Sequence, residues 1–206
     1  MIEKAILFII ASLLISGCCN EEPVEAGRYP LTDVELQLIP YSLGDTIRFI
    51  HSNGYEFDFK VTKETLEWKK HSEFCEWNCC GQGYYSYQQK TTVLESLYPK
   101  LSLKFQLGGN DWYYYSNNLN IDINNRFALS MPFDSLGNII CDNQTVRCYD
   151  TLRINGYLFY YVFEKDFDFY YSLEDSTLFM PESILYNQYG LLQIKMTNDE
   201  TYSLKN

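Results

Sequence analysis

Leu101, Leu103, Phe105 and Leu107 are separated by Ser102, Lys104 and Gln106, an unbroken period of two. Successive side chains of a strand point to opposite faces, so this stretch has one apolar and one wet face and cannot be a helix. Tyr55, Phe57, Phe59 and Val61 repeat the pattern against Glu56, Asp58, Lys60 and Thr62. Ile47 and Phe49 carry it before them, and Asn53-Gly54 is a strong hairpin turn between the two runs. Leu66 and Trp68 suggest a third strand. A long strand is expected over about Tyr84 to Leu94, ended by Pro99. Leu119-Ile121-Ile123 and Phe127-Leu129-Met131 are short alternating runs joined by Asn124-Asn125. Further strands are expected at Gly137–Cys141, Val146–Ile154, Tyr157–Phe163, Ser176–Met180, Leu191–Met196 and Thr201–Leu204, with Asn155-Gly156 turning one hairpin.

Half-buried strands joined by short turns are the mark of antiparallel sheets, because parallel crossovers need longer connections. The expected fold is therefore all-β: an antiparallel meander of ten or more short strands in a curved sheet or a closed or partly open barrel. The 19 Tyr and 13 Phe fit such pleated surfaces. Thr32-Asp33-Val34-Glu35 matches a capping box and predicts one short helical turn, ended by Pro40. A transmembrane barrel is disfavoured, since the strands are short and long loops do not alternate with tight ones.

The N-terminus reads differently. Lys4 precedes an apolar run from Ala5 to Ile15, too short to span a bilayer but of signal-peptide length. It ends at Ile15-Ser16-Gly17-Cys18, which resembles the lipobox of bacterial lipoproteins. That resemblance implies cleavage before Cys18 and acylation of its sulfur and new amine. Two or more acyl chains hold a protein firmly on a membrane. The organisation expected is a lipoprotein signal peptide over 1–17, a flexible acidic tether over 18–31 and a single antiparallel β domain over 32–206. The expected place is the outer membrane, periplasmic face or cell surface. Asn20-Glu21-Glu22 resembles the acidic signal that sends some lipoproteins of Bacteroidota to the surface.

Lys and Arg number 16 against 27 Asp and Glu, a net charge of −11. That balance argues against nucleic acid or anionic lipid as a partner of the domain. An exported chain meets oxidising conditions. Cys141 and Cys148 flank a turn-rich segment and are expected to pair, and Cys75 is expected to pair with Cys79 or Cys80. His71 with Cys75, Cys79 and Cys80 is the alternative zinc set, but its spacing is not that of a zinc ribbon, so no metal is expected.

The C-terminal run Ile184 to Ile194, with Tyr189-Gly190 leading into a last hairpin, is similar to the end of many small uncharacterised lipoproteins of Bacteroidota. Gly44-Asp45-Thr46 resembles the entry to their first strand. The resemblance implies a cell-envelope location and an all-β fold, and no activity. Asp45-Thr46-Ile47, Asp134-Ser135-Leu136, Asp150-Thr151-Leu152 and Asp175-Ser176-Thr177 are similar to an O-glycosylation motif of exported Bacteroidota proteins, with Thr46, Ser135, Thr151 and Ser176 as acceptors. Composition alone gives about one match to so short a pattern.

With two histidines far apart, no nucleophile motif and no phosphate or dinucleotide loop, neither an enzyme nor a cofactor is indicated. His51 is expected to be partly exposed and inert. The functional candidates are aromatic: Tyr84-Tyr85-Tyr87, Trp112-Tyr113-Tyr114-Tyr115 and Tyr157-Phe159-Tyr160-Tyr161. Adjacent aromatics occupy both faces of a strand, so some lie outside the core, where they can stack on a glycan or anchor a protein. Trp112 to Tyr115 is the group singled out. The role expected is a non-enzymatic binding or structural module. The alternative is a glycan-processing hydrolase using Glu164, Asp166 and Asp168, which alternate along one strand edge.

Overall fold

A computed structural model describes residues 24–72, 83–108, 117–142, 144–167 and 180–205. The fold is all-β with almost no helix. The strands are β1 (Val24–Tyr29), β2 (Thr46–His51), β3 (Glu56–Ser72), β4 (Gly83–Ser96), β5 (Leu101–Leu107), β6 (Asn118–Ile123), β7 (Phe127–Pro132), β8 (Val146–Ile154), β9 (Tyr157–Asp166), β10 (Pro181–Asn187), β11 (Gly190–Met196) and β12 (Thr201–Leu204). Helix α1 (Asp33–Leu36) carries both halves of the expected capping box.

The chain divides into two compact units. The larger comprises residues 31–67 and 88–206, the smaller residues 1–30 and 68–87. The sheet path is β7-β6-β5-β4-β3-β2-β12-β11-β10-β9-β8. Every step joins consecutive strands except one, where β2 lies antiparallel beside β12 through Phe49–Leu204 and His51–Tyr202. The meander thus closes its chain ends together and leaves β7 and β8 at the two ends of the path. Within the larger unit the sheet curls into a nearly closed barrel.

Alternation explains the barrel filling. Strand β5 buries Leu101, Leu103, Phe105 and Leu107 and leaves its polar residues half-exposed, as the period requires. Phe49 and Phe59 meet edge to face at 5.2 Å, the favoured geometry for paired rings. One buried cluster takes residues from every strand of this unit, including Met131 of β7 and Val146 of β8. Asn124 and Asn125 turn β6 into β7 with positive φ. Asn155 and Gly156 turn β8 into β9 likewise, and their conformations match the strand twist.

Three expectations are corrected. Leu66 and Trp68 do not start a third strand; they continue β3, 17 residues long. Its second half is mostly wet on both faces, so alternation has no cause to persist, while Thr62 and Thr65 still favour an extended chain. Gly137–Cys141 forms no strand, only a bridge between Phe133 and Ile139. Asp134 Oδ1 accepts the Leu136 and Asn138 amides, and this local turn competes with pairing. His51 is buried at 5% exposure, since it shares the inward register of Phe49. Residues 24–29, within the stretch read as tether, form β1 and pair in parallel with Gly83–Tyr87 of β4. The strand read at Ser176–Met180 falls largely outside the described residues.

In the smaller unit, Arg28 lies over the Trp68 ring at 4.1 Å and Lys70 over the Tyr84 ring at 4.5 Å. Tyr29 and Tyr85 approach to 6.1 Å between centroids.

Candidate binding surface

The β8–β9 hairpin carries the most exposed aromatic surface of the barrel unit. Strand β9 pairs with β10 only over Phe163–Asp166, and from Val162 back to Tyr157 it pairs with β8 alone. Tyr161, with φ of +52°, stands where the pairing with β10 ends. The free part of the hairpin packs over the outer barrel wall. Leu185 lies between Ile184 and Tyr186, both in the main core, so it faces outward. It forms a second buried cluster with Leu192 and with Ile154, Phe159 and Val162 of the hairpin. Phe159 and Val162 are thereby spent on packing. Tyr157, Leu158, Tyr160 and Tyr161 remain exposed, Tyr160 at 56% and Tyr161 at 68%. Under the tip, Asn155 and Tyr157 join Ile50, Ser203 and Lys205 around a cleft of about 290 Å³.

A larger cleft of about 640 Å³ lies beside α1, bordered by Leu36, Ile39, Tyr41, Lys90 and Tyr189. Lys90 Nζ donates to the Ile39 carbonyl at 2.9 Å and sits 3.7 Å from Glu64 Oε1. Its donors serve the loop after α1 and the charge is offset, which suits a structural strut.

The acidic edge is engaged internally. Arg147 Nε donates to Glu164 Oε2 at 3.1 Å, and its two terminal nitrogens donate to both oxygens of Asp166 at 2.9 and 2.7 Å. Tyr149 Oη donates to Glu164 Oε2 at 2.6 Å. Burial raises the Glu164 pKa, but Arg147 and Tyr149 outweigh it and hold the carboxyl below its usual range. A glycosidase acid must instead keep its proton near neutral pH. The geometry makes Glu164 a locked anion. Asp168 lies outside the described residues.

His51 is similarly occupied. Its ring stacks on Tyr55 at 4.6 Å, Nδ1 accepts the Asn53 amide at 3.1 Å, and Nε2 stands 3.5 Å from Glu200 Oε2. Asn198 and then His51 hold the Glu200 carboxyl low. Sequence reasoning missed these contacts because Tyr202 and Glu200 reach His51 only through the β2–β12 pairing.

Cys141 and Cys148 form the expected disulfide, with Cα atoms 5.9 Å apart. Between them Asp142 accepts from the Thr145 hydroxyl and from the Val146, Thr145 and Gln144 amides, which holds its carboxyl well below the carboxylate range. Cys18, Cys75, Cys79, Cys80 and Trp112, Tyr113, Tyr114 and Tyr115 lie outside the described residues. Among the described residues no three His, Cys, Asp or Glu side chains are grouped to hold a metal. Of the acceptor candidates, Thr46, Ser135 and Thr151 are exposed, and Ser176 lies outside the described residues. Of the first aromatic group, Tyr87 is buried and Tyr84 and Tyr85 are half-buried.

The fold and surface define a class: an antiparallel β-barrel-like domain with an aromatic ridge on an overlying hairpin. No family model, no curated protein and no solved structure matches the chain.

Proposed function

We propose that this protein is an outer-membrane lipoprotein, anchored through acylated Cys18, that works as a non-enzymatic binding module for a glycan or protein of the cell envelope. The observation that carries the binding reading is the exposed Tyr157, Leu158, Tyr160 and Tyr161 on a hairpin whose alternate residues are already used for packing. Tyrosine offers a large flat apolar face and a polar tip, the combination that stacks on sugar rings or fills a partner's pocket. The disulfide supports an oxidising compartment, and the run into Ile15-Ser16-Gly17-Cys18 supports the anchor. Exposed Thr46, Ser135 and Thr151 are the sites at which O-glycans are proposed.

Two measurements test this reading. Cys18→Ser should move the protein from membranes to the soluble fraction, and continued attachment would refute the anchor. A form lacking Cys18 should be captured from envelope extract or by purified glycans, and Tyr160→Ser with Tyr161→Ser should abolish capture. Capture undiminished by that pair of changes would rule out the hairpin ridge as the binding surface.

A further inference from the structure

The smaller unit departs from the acidity of the whole chain. Over its described residues, 24–30, 68–72 and 83–87, it holds three cations, Arg28, Lys69 and Lys70, and one acid, Glu25. The difference is +2, against −11 for the full sequence. Trp68 and Lys70 alternate on β3 and so share one face. Arg28 lies over the Trp68 ring and Lys70 over the Tyr84 ring. Trp68, Arg28 and Lys70 are all exposed, Trp68 at 40%. Each pair is an aromatic ring with a cation against its face. Rings of this kind settle at the depth where lipid tails meet headgroups, and cations there meet phosphate.

The length of chain says which surface this face meets. Five residues separate Cys18 from Val24, the first residue of β1. Fully extended, that segment spans about 20 Å, so an acyl group on Cys18 keeps β1 next to the bilayer surface. We infer that the sheet of β1 with Trp68–Ser72 and Gly83–Tyr87 docks on the phosphate headgroup layer of the membrane that holds the anchor. The inference rests on the anchor proposed above. Whole-chain acidity does not oppose it, because charges beyond a Debye length of about 8 Å are screened from the surface.

The test uses the acylated protein with Trp77→Phe and Trp112→Phe, which leaves Trp68 as the one indole of three. It is reconstituted on phosphatidylcholine vesicles with and without phosphatidylglycerol, and emission is read against lipids brominated near the acyl carbonyls. Docking predicts quenched, blue-shifted Trp68 emission, stronger with phosphatidylglycerol, weakened by salt and by Arg28→Glu with Lys70→Glu. Protein that stays on the vesicles through an alkaline wash while Trp68 remains unquenched overturns the inference and leaves the anchor standing. If the chain proves unacylated, the anchor fails, and the non-acylated chain is floated with the same vesicles. Salt-sensitive flotation that falls roughly fivefold for each cation removed then supports the headgroup surface, and absence of flotation overturns it.

Discussion

The Tyr41 hydroxyl accepts the backbone N–H of Leu191 at 2.6 Å, across 150 residues of chain. Burial pushes the Tyr41 phenol far above its usual pKa, so it stays neutral. The segment after α1 is thus stitched to the start of β11, and Tyr186 Oη adds a second stitch to the Leu38 carbonyl. Tyr41→Phe would strand a buried amide and should cost about 1–3 kcal/mol, read as a lower urea midpoint at unchanged slope.

Gly190 touches the same ring. Its φ is +101°, and a Cβ there would run into the Tyr41 side chain, which is itself buried. Gly190→Ala combines backbone strain of about 1–2 kcal/mol with overpacking of similar size, so it should destabilise more than Tyr41→Phe. Thermal denaturation of the two variants side by side checks the order.

Arg147 should give acid stability its shape. Glu164 has a lowered pKa in the folded state, so the unfolded chain protonates first as pH falls. Its contribution is present above the unfolded carboxylate value, about 4.3, and is lost as pH drops through the folded value. In Arg147→Met burial alone acts on Glu164 and the sign of its contribution reverses. That variant should lose about 1–3 kcal/mol at neutral pH and recover part of it on acidification. Urea midpoints from about pH 7 down to about pH 3 would show both slopes.

The Cys141–Cys148 bridge closes a short loop, with a sequence separation of 7. Chain entropy assigns such a loop about 2.5 kcal/mol, so Cys141→Ser with Cys148→Ser should lower the melting temperature. Reductant should lower that of the parent and leave the double variant unchanged.

Phe159 fastens the hairpin to the outer wall through Leu185 and Leu192. Phe159→Ala removes about 3 kcal/mol of packing at a cluster apart from the main core. Hydrogen exchange should accelerate over Tyr157–Val162 while the amides of β5 stay protected, and glycan or protein capture by the hairpin should weaken with it. Uniform acceleration across both regions would mean that the two clusters unfold together.

Much of the fold was legible from period and turn chemistry. Strand β5 is buried at alternate positions as its residues demand, because a half-wet strand must sort its side chains by face. Asn155-Gly156 turns the expected hairpin, since both residues tolerate positive φ. The Thr32–Glu35 box formed because both its hydrogen bonds are local. The site was half legible. Consecutive aromatics at Tyr157, Tyr160 and Tyr161 could not all enter one core, but which stayed outside depended on where β9 leaves β10.

By itself, then, the sequence determined the all-β class, most strand positions, the one helical turn and the Cys141–Cys148 pair, because each follows from neighbours within a few residues. Tertiary structure alone decided that β12 returns to β2, that His51 is enclosed by Tyr55, Tyr202 and Glu200, that Arg147 binds both Glu164 and Asp166, and that β1 joins β4. Those contacts join residues far apart in the chain. Periodicity says which face of a strand is apolar, and only the closed packing of all the strands says what that face meets.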